Sequence, residues 1–289
     1  IEEAALSNGL TLDVAINNFL IEKKKDLRPD TFRAYSSIAK IFLEWLQQNN
    51  LSNKYCFLFN KQFAYKFLNS LSQNPKICNR TYNNYLRFLK TLFTSFEKKE
   101  IVKENVFVDF ESKKQDEKIR VTIPAEDRLK IKDYFLTNMP NYYLIMLLCF
   151  RLFIRPKEIL MLKVKYINYK EGLLTIPSIV SKNHNERILA LPEELFVLLK
   201  KYENTNPEYY IFSDYKTMEP GKKLLNSKRI GYFFSKMRLA LDMPSNYQFY
   251  SLKDTGITEM LEMGVPAKFV KELADHHSLE MTEKYTHKS

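Results

Sequence analysis

A histidine and a tyrosine near the end of the chain have types and spacing that suit a nucleophilic reaction. His276 is followed nine positions later by Tyr285. A tyrosine hydroxyl attacks well only after losing its proton, and its ordinary pKa is about 10. Clustered cations favour both the phenolate and an anionic transition state. Such a site would need several positively charged donors from distant parts of the chain, and no metal.

Two cations upstream are candidate donors. Arg155 precedes Pro156, which disfavours helical geometry in the residue before it, so a helix is expected to start there with Arg155 at its N-terminus. Helix N-termini suit phosphate, although a surface arginine beside a helix start is the plain alternative. Lys182 lies in the polar connector 181–186 between two predicted strands, where most lysines are merely solvated.

The net charge of +11 is spread along the chain and predicts a basic surface rather than a basic arm. Nucleic acid is the commonest partner of such a surface, and solubility is the alternative explanation. Three cysteines without metal or redox spacing fit a reducing cytoplasm. No apolar run reaches the length of a membrane helix. The chain begins at Ile1 rather than Met, so we expect sequence before it.

The pattern of apolar residues predicts a mainly α-helical protein with a small antiparallel β-hairpin. Four helices are expected before residue 110, and a charged stretch at 109–118 reads as a linker. Strands are expected at 172–180 and 187–191. Further helices are expected at about 125–137, 140–153, 156–163, 192–203, 225–241, 250–262, 265–274 and 278–287.

Taken together, these residues resemble the motifs of the tyrosine recombinases, the phage integrase family. Leu273–His276 stands where that family usually has Leu-Gly-His, and Tyr285 lies in an ending similar to its Thr-x-x-Tyr-Thr-His. Arg155 is followed three residues later by Glu158, as the family's first arginine is followed by a glutamate. The resemblance covers nearly the whole chain.

The family's second box, His-x-x-Arg, is altered here. Tyr250 and Lys253 stand in place of the histidine and the arginine. Lysine keeps the charge but loses the bidentate fork of a guanidinium, and tyrosine is a poor general base at neutral pH. Two interpretations stay open: an active variant in which Lys253 clamps the phosphate as a point charge, or a relative that binds DNA without cutting it. The persistence of the other four candidate residues favours activity.

The resemblance implies a role for each candidate side chain. Tyr285 would attack a DNA phosphate to form a 3′-phosphotyrosyl link, and Lys182 would protonate the leaving 5′-oxygen. The others would bind or donate to the phosphate. The implied catalytic residues are Tyr285, Arg155, Lys182, Lys253, His276 and Tyr250.

The resemblance also implies a domain for each function. Residues 1–112 would form a helical, SAM-like core-binding domain, and residues 113–289 a mixed α/β catalytic domain. Helix 79–90 resembles the family's core-binding helix, and residues 221–241 carry six Lys or Arg and no acidic residue. The candidate DNA-binding residues are Arg33, Arg80, Asn83, Arg87, Lys90, Lys228, Arg229 and Lys236.

The implied protein is a bacterial, cytoplasmic, nucleoid-associated recombinase for integration or excision of a mobile element. Its partners would be double-stranded DNA, three further copies of itself in a homotetramer on two DNA sites, and a DNA-bending accessory protein. Free protein would be a monomer or weak oligomer. No cofactor and no membrane would be involved. The chain stops four residues after Tyr285, so we expect the C-terminal coupling segment to be very short or absent.

Overall fold

The structure, a computed structural model, describes residues 9–115 and 121–286. The chain divides into two compact units, residues 1–117 and 118–289. It is mainly α-helical with a small antiparallel sheet, which confirms the predicted fold class. In the described part of the chain, no helix combines the length and apolarity needed to cross a lipid bilayer.

The division between the units falls a few residues after the predicted boundary at 112. The first part of the predicted linker is bound to the first unit, because Asn83 pairs with the backbone of Lys113. Its Nδ2 donates to the Lys113 carbonyl oxygen and its Oδ1 accepts from the Lys113 N–H, both at 2.8 Å. Residues 116–118, the end of the predicted linker, lie outside the described residues.

Four amphipathic helices lie in residues 9–115 of the first unit, as the apolar spacing predicts. They are α1 (Leu12–Asp26), α2 (Pro29–Gln48), α3 (Lys61–Gln73) and α4 (Asn79–Lys98), with a 3-10 turn at Cys56–Leu58. Asn60 starts α3, because its Oδ1 accepts hydrogen bonds from the backbone N–H groups of Gln62 and Phe63. The buried faces meet through aromatic rings such as Phe42 and Phe67, whose centroids are 4.8 Å apart.

In residues 121–286, helices and a three-stranded sheet form the second unit. The helices are α5 (Ala125–Asn138), α6 (Pro140–Arg151), α7 (Pro156–Met161), α8 (Glu193–Lys200), α9 (Lys228–Ala240), α10 (Ser251–Glu262), α11 (Ala267–Ala274) and α12 (Leu279–Glu283), with a 3-10 turn at Val164–Tyr166. The strands are β1 (Ile167–Asn168), β2 (Leu173–Ile176) and β3 (Arg187–Ala190), in the order β1-β2-β3. The last predicted helix ends early, so Tyr285 follows α12 instead of lying within it.

The predicted hairpin is present as β2 and β3, which pair antiparallel with Leu174 opposite Leu189 and Ile176 opposite Arg187. Alternate residues of a strand face opposite sides of a sheet. The buried side of β3 therefore carries Arg187 together with Leu189, and a charged side chain points into the interior. The sequence did not predict β1, since two residues are too few to show a strand period.

Helix α10 crosses α6 at very short distance, and Gly256 permits the approach. A Cβ atom placed on Gly256 would lie 2.1 Å from the carbonyl oxygen of Phe150 and 2.8 Å from Cε1 of Phe153. Because the first of these atoms belongs to backbone, a rotamer change cannot relieve the clash. The crossing positions the start of α10, which carries Lys253 and directly follows Tyr250.

We expect Gly256→Ala to lower the free energy of unfolding by ~3 kcal/mol, because overpacking would force α6 and α10 apart. Gly231→Ala is the matched control in the exposed face of α9, where an added Cβ would meet nothing within 4 Å. That change should stabilise the protein by roughly 0.5–1 kcal/mol through helix propensity. Urea unfolding of both variants tests this, and equal stabilities would contradict the close helix crossing.

Candidate active site

Arg155 lies at the N-terminus of α7, where the sequence predicts it. Its backbone is extended, and Pro156 is the first helical residue. The N–H of Arg155 donates to Glu158 Oε2 at 3.3 Å, so the glutamate folds back over the helix start. The side chain of Arg155 is only 13% exposed. Its direction is therefore set by the carboxylates that surround it.

Glu158 is the buried carboxylate that organises this side of the site, with 2% of its surface exposed. Its Oε1 accepts from Arg155 Nη1 at 3.1 Å and from the backbone N–H of Lys182 at 2.9 Å. Its Oε2 accepts from Arg187 Nη2 at 2.8 Å. A buried carboxylate is tolerated only when it is paired and hydrogen-bonded. These contacts therefore fasten α7, the β2–β3 connector and β3 around one group.

Asp275 ends α11 in the left-handed conformation, with φ +53°, which aspartate tolerates better than most residues. Its Oδ2 accepts from Arg155 Nη1 at 2.6 Å, and its carbonyl oxygen accepts from Arg155 Nη2 at 2.8 Å. Asn183 Nδ2 donates to the same two oxygens. Burial disfavours the charge on Arg155, but the hydrogen bond to Asp275 and the attraction of Glu158 outweigh it and raise the pKa of Arg155.

Lys253 is fully buried in α10. Its Nζ donates to the carbonyl oxygens of Phe153 at 2.7 Å and Ala274 at 2.8 Å. The lysine thereby ties the residues just before Arg155 to those just before Asp275. Burial, followed by repulsion from Arg155, lowers the pKa of Lys253 to about 7. Its ammonium group is directed at backbone carbonyls and not at the surface.

Tyr285 lies directly after α12 and is buried beside His276. The two rings are nearly parallel, with centroids 6.1 Å and planes 11° apart. Nδ1 of His276 hydrogen-bonds with Oγ1 of Thr282 at 2.9 Å, and the Tyr285 hydroxyl donates to Oδ1 of Asp254 at 2.6 Å. The histidine next along the chain, His277, is exposed. The turn between α11 and α12 therefore brings together the pair singled out by its spacing.

Lys182 and Tyr250 complete the set of predicted catalytic residues. The Lys182 side chain is exposed in the β2–β3 connector, while its backbone is bound to Glu158. Tyr250 is half-buried immediately before α10 and lies close enough to Arg155 to interact with its charge. Across residues 9–115 and 121–286, no cluster of three or more His, Cys, Asp or Glu could hold a metal ion.

The second unit therefore gathers a phenol, an imidazole and two cations from distant segments. Arg155 donates to Asp275 in the turn that follows α11, His276 lies in the same turn, and the Tyr285 ring packs beside the His276 ring. Cations and neutral donors around a phenol can bind an anionic ester and assist nucleophilic attack on it.

Comparison with known proteins identifies the family of the second unit. Residues 121–289 match the model of the phage integrase family. The chain belongs to the phage integrase family. The tyrosine recombinase XerA of Pyrococcus furiosus is 27% identical over 174 residues, which cover 59% of this chain and 55% of that protein. A tyrosine recombinase of Thermosipho africanus is 23% identical over 272 residues, covering 89% of this chain and 88% of that protein.

Solved structures of other integrases share the fold. The Tn1549 transposon integrase in complex with transposon right end DNA superposes with a TM-score of 0.76 at 14% identity, covering 96% of this chain and 94% of that one. A lambda integrase dimer bound to a COC′ core site also gives 0.76, at 18% identity, covering 98% and 79%. At identities of 14% and 18%, the structural similarity establishes that this chain shares its fold with these two integrases.

Four polar residues of the site were not singled out from the sequence: Asn183, Arg187, Asp254 and Asp275. Arg187 could have been found from the sequence, because it shares a strand face with the apolar Leu189. Asp275 could also have been found, because it stands where the phage integrase family usually has glycine. The roles of Asn183 and Asp254 depend on tertiary contacts that no local pattern shows.

The candidate DNA-binding residues of the second unit differ in their surroundings. Lys228 and Lys236 on α9 are exposed. Arg229 instead donates from Nε and Nη2 to the carbonyl oxygen of Tyr215, and its guanidinium lies 3.2 Å from the Tyr215 ring centroid. Arg229 is thus engaged within the protein, whereas the two lysines face solvent.

In the first unit, Arg80 and Arg87 on α4 are exposed, as is Arg33, which forms an ion pair with Asp30 on its own helix. Lys90 is half-buried and donates to the carbonyl oxygen of Val108 at 2.8 Å.

Asn83 departs from expectation, because it is only 3% exposed and its amide pairs with the backbone of Lys113. These hydrogen bonds give Asn83 a structural role, because they bind the segment around Lys113 to helix α4.

The lowered pKa of Lys253 predicts how the free energy of unfolding depends on pH. Its pKa lies at about 7 in the folded protein and at 10.5 ordinarily. Between these values the unfolded chain binds a proton that the folded chain does not, so the free energy of unfolding rises with pH by up to ~1.4 kcal/mol per unit. Urea unfolding between about pH 7 and about pH 10 should show this rise in the unaltered protein relative to Lys253→Met. Lys268→Met, a change at an exposed lysine, is the control and should show the same rise as the unaltered protein. If the free energy of unfolding rose equally with pH in Lys253→Met and in the unaltered protein, the lowered pKa of Lys253 would be contradicted.

Proposed function

We propose that the protein is a site-specific DNA recombinase that cuts and rejoins strands through a covalent 3′-phosphotyrosyl intermediate on Tyr285. The observation that carries the proposal is the convergence of Tyr285, His276, Arg155 and Lys253 from separate segments in a unit of the phage integrase family. A chance surface tyrosine would have no reason to lie buried against the histidine that its spacing singled out.

Each step of the reaction has a residue suited to it. Tyr285 Oη attacks the phosphorus, and the positive charges of Arg155 and Lys253 stabilise the transition state. His276 and Tyr250 donate hydrogen bonds. Lys182, on its exposed connector, protonates the leaving 5′-oxygen. Because one phosphate ester is exchanged for another, the bond energy is retained for rejoining to a partner strand, and no ATP, metal or cofactor is called for.

We propose that the carboxylate of Asp275 occupies the place on Arg155 that the DNA phosphate takes when substrate binds. This carboxylate occupies Arg155 Nη1, a donor that would otherwise suit a phosphate oxygen. Binding of DNA would exchange this carboxylate for the phosphate, while the carbonyl of Asp275 can keep its hold on Nη2. Glu158 stays in place and keeps the guanidinium oriented.

Double-stranded DNA is the proposed partner. The charge of +11 and the exposed Arg33, Arg80, Arg87, Lys228 and Lys236 support it. A lambda integrase tetramer bound to a Holliday junction has a TM-score of 0.74 with this chain. By analogy we propose four protomers on two DNA sites, a DNA-bending accessory protein, and integration or excision of a mobile element in the cytoplasm of a bacterium.

A second candidate function is DNA binding without cleavage, as an architectural or regulatory protein. Two observations favour it: Lys253 points at backbone carbonyls, and Arg155 is bound to a carboxylate of its own chain. The retained Tyr285 and His276 pair favours the enzyme. The two functions differ in one observable, the covalent bond to DNA.

A nicked suicide duplex taken from the junctions of the host element tests the proposal. We expect a slowly migrating protein–DNA adduct on a denaturing gel with the unaltered protein and none with Tyr285→Phe, because phenylalanine cannot attack phosphorus. An adduct that persists in the variant would contradict the nucleophile. Specific binding of the duplex without any adduct would favour the second candidate.

The role of Lys182 has a separate test. Lys182→Ala should slow cleavage of the ordinary duplex by ~10²–10³-fold, because the leaving oxygen loses its proton donor. Replacing the bridging 5′-oxygen by sulfur should restore most of the rate, since a thiolate leaves without a proton. Lys170→Ala, in the exposed turn between β1 and β2, is the matched control. An equal loss on both duplexes would assign Lys182 to binding alone.

A further inference from the structure

The hydroxyl of Tyr285 is bound to a carboxylate that the proposed reaction does not yet use. It donates to Asp254 Oδ1 at 2.6 Å. Both residues are buried, with 4% and 3% of their surfaces exposed. Asp254 lies in the first turn of α10, where the helix dipole favours an anionic side chain. The carboxylate of Asp254 thus lies in direct contact with the atom that would react.

The proton of a nucleophilic phenol that is bound to a carboxylate can leave in two ways, to solvent or to the carboxylate. If the phenolic proton left to solvent, phenolate and carboxylate would repel each other at hydrogen-bond distance in a buried place. If the carboxylate takes the proton itself, one negative charge moves and none is added. Only the second course is compatible with attack from the observed geometry.

We infer that Asp254 is the general base for Tyr285, an inference that rests on the proposed recombinase function. As Tyr285 Oη bonds to phosphorus, its proton passes to Asp254 Oδ1. The bond between phosphorus and the 5′-oxygen breaks, and that oxygen takes a proton from Lys182. When the 5′-hydroxyl of the incoming strand attacks, it returns a proton to Lys182, and Asp254 returns its proton to the leaving tyrosine.

Three other titratable groups lie near Tyr285 and Asp254. His276 presents its ring face parallel to the phenol, and its Nδ1 hydrogen-bonds with Thr282. Lys253, next to Asp254 in sequence, directs its Nζ at two backbone carbonyls. Cys149 on α6 lies close enough to interact electrostatically with Asp254. Since these groups titrate too, the test varies the acidity of the nucleophile instead of the pH.

The test compares the unaltered protein with Asp254→Asn, each carrying either tyrosine or a more acidic fluorotyrosine at position 285. Asparagine can still accept the hydrogen bond but is not a base. With tyrosine, Asp254→Asn should slow adduct formation by ~10²–10³-fold. With fluorotyrosine the loss should shrink at least tenfold, because a more acidic phenol needs less help. Asp127→Asn is the matched control, since Asp127 accepts a similar hydrogen bond from Tyr247 at 2.8 Å.

A second measurement needs no variant at Asp254. On the duplex with the sulfur leaving group, the remaining proton transfer is that from Tyr285, so the unaltered protein should react more slowly in D2O than in H2O. An equal loss with both nucleophiles, an undiminished rate in Asp254→Asn, or no solvent isotope effect would overturn the general base and leave the recombinase function standing. No adduct with the unaltered protein would overturn both.

Discussion

The attraction between the buried carboxylate of Glu158 and two guanidinium groups is the interaction on which the candidate active site depends. Arg155 and Arg187 both donate to it, and the backbone of Lys182 does so as well. Removing the carboxylate would leave the buried guanidinium of Arg187 without its ionic partner, which costs roughly 3–5 kcal/mol. The carboxylate of Glu158 therefore orients the Arg155 side chain and positions the backbone of Lys182 in the β2–β3 connector.

Positive charge is concentrated around this carboxylate. Arg155, Arg187 and Lys253 lie near Glu158 and Asp275, and Lys253 is the cation whose pKa falls, because it is the most deeply buried and faces the other two. In the proposed reaction an incoming phosphate would bring negative charge and favour the charged lysine. Substrate binding would then draw a proton to the position where the family usually has arginine. The substitution of lysine for arginine thus replaces a permanent charge by one that depends on its surroundings.

Much of the fold and part of the site could be predicted from the sequence. The helices were predicted because their apolar residues recur at helical spacing, and Arg155 was placed correctly because Pro156 restricts its backbone. The contacts of Asp275 with Arg155 could not be predicted, since they join residues 120 positions apart.

A local pattern also misleads where a polar side chain turns inward. Asn83 shares a helix face pattern with Arg80 and Arg87, yet its amide is buried against the backbone of Lys113. Arg187 is charged and would be expected on the exposed side of its strand, yet the strand period places it on the buried side with Leu189. In both cases the partner is a single group from another segment, which periodicity does not reveal.

The chain has eighteen tyrosines, and the proposed reaction requires one of them, Tyr285, to form the bond to DNA. The most direct measurement is to digest a purified protein–DNA adduct with trypsin and nuclease and to sequence the nucleotide-bearing peptide by mass spectrometry. We expect the nucleotide phosphate on Tyr285, whose ring packs beside His276 and whose hydroxyl donates to Asp254. Attachment to any other residue would contradict the site described above.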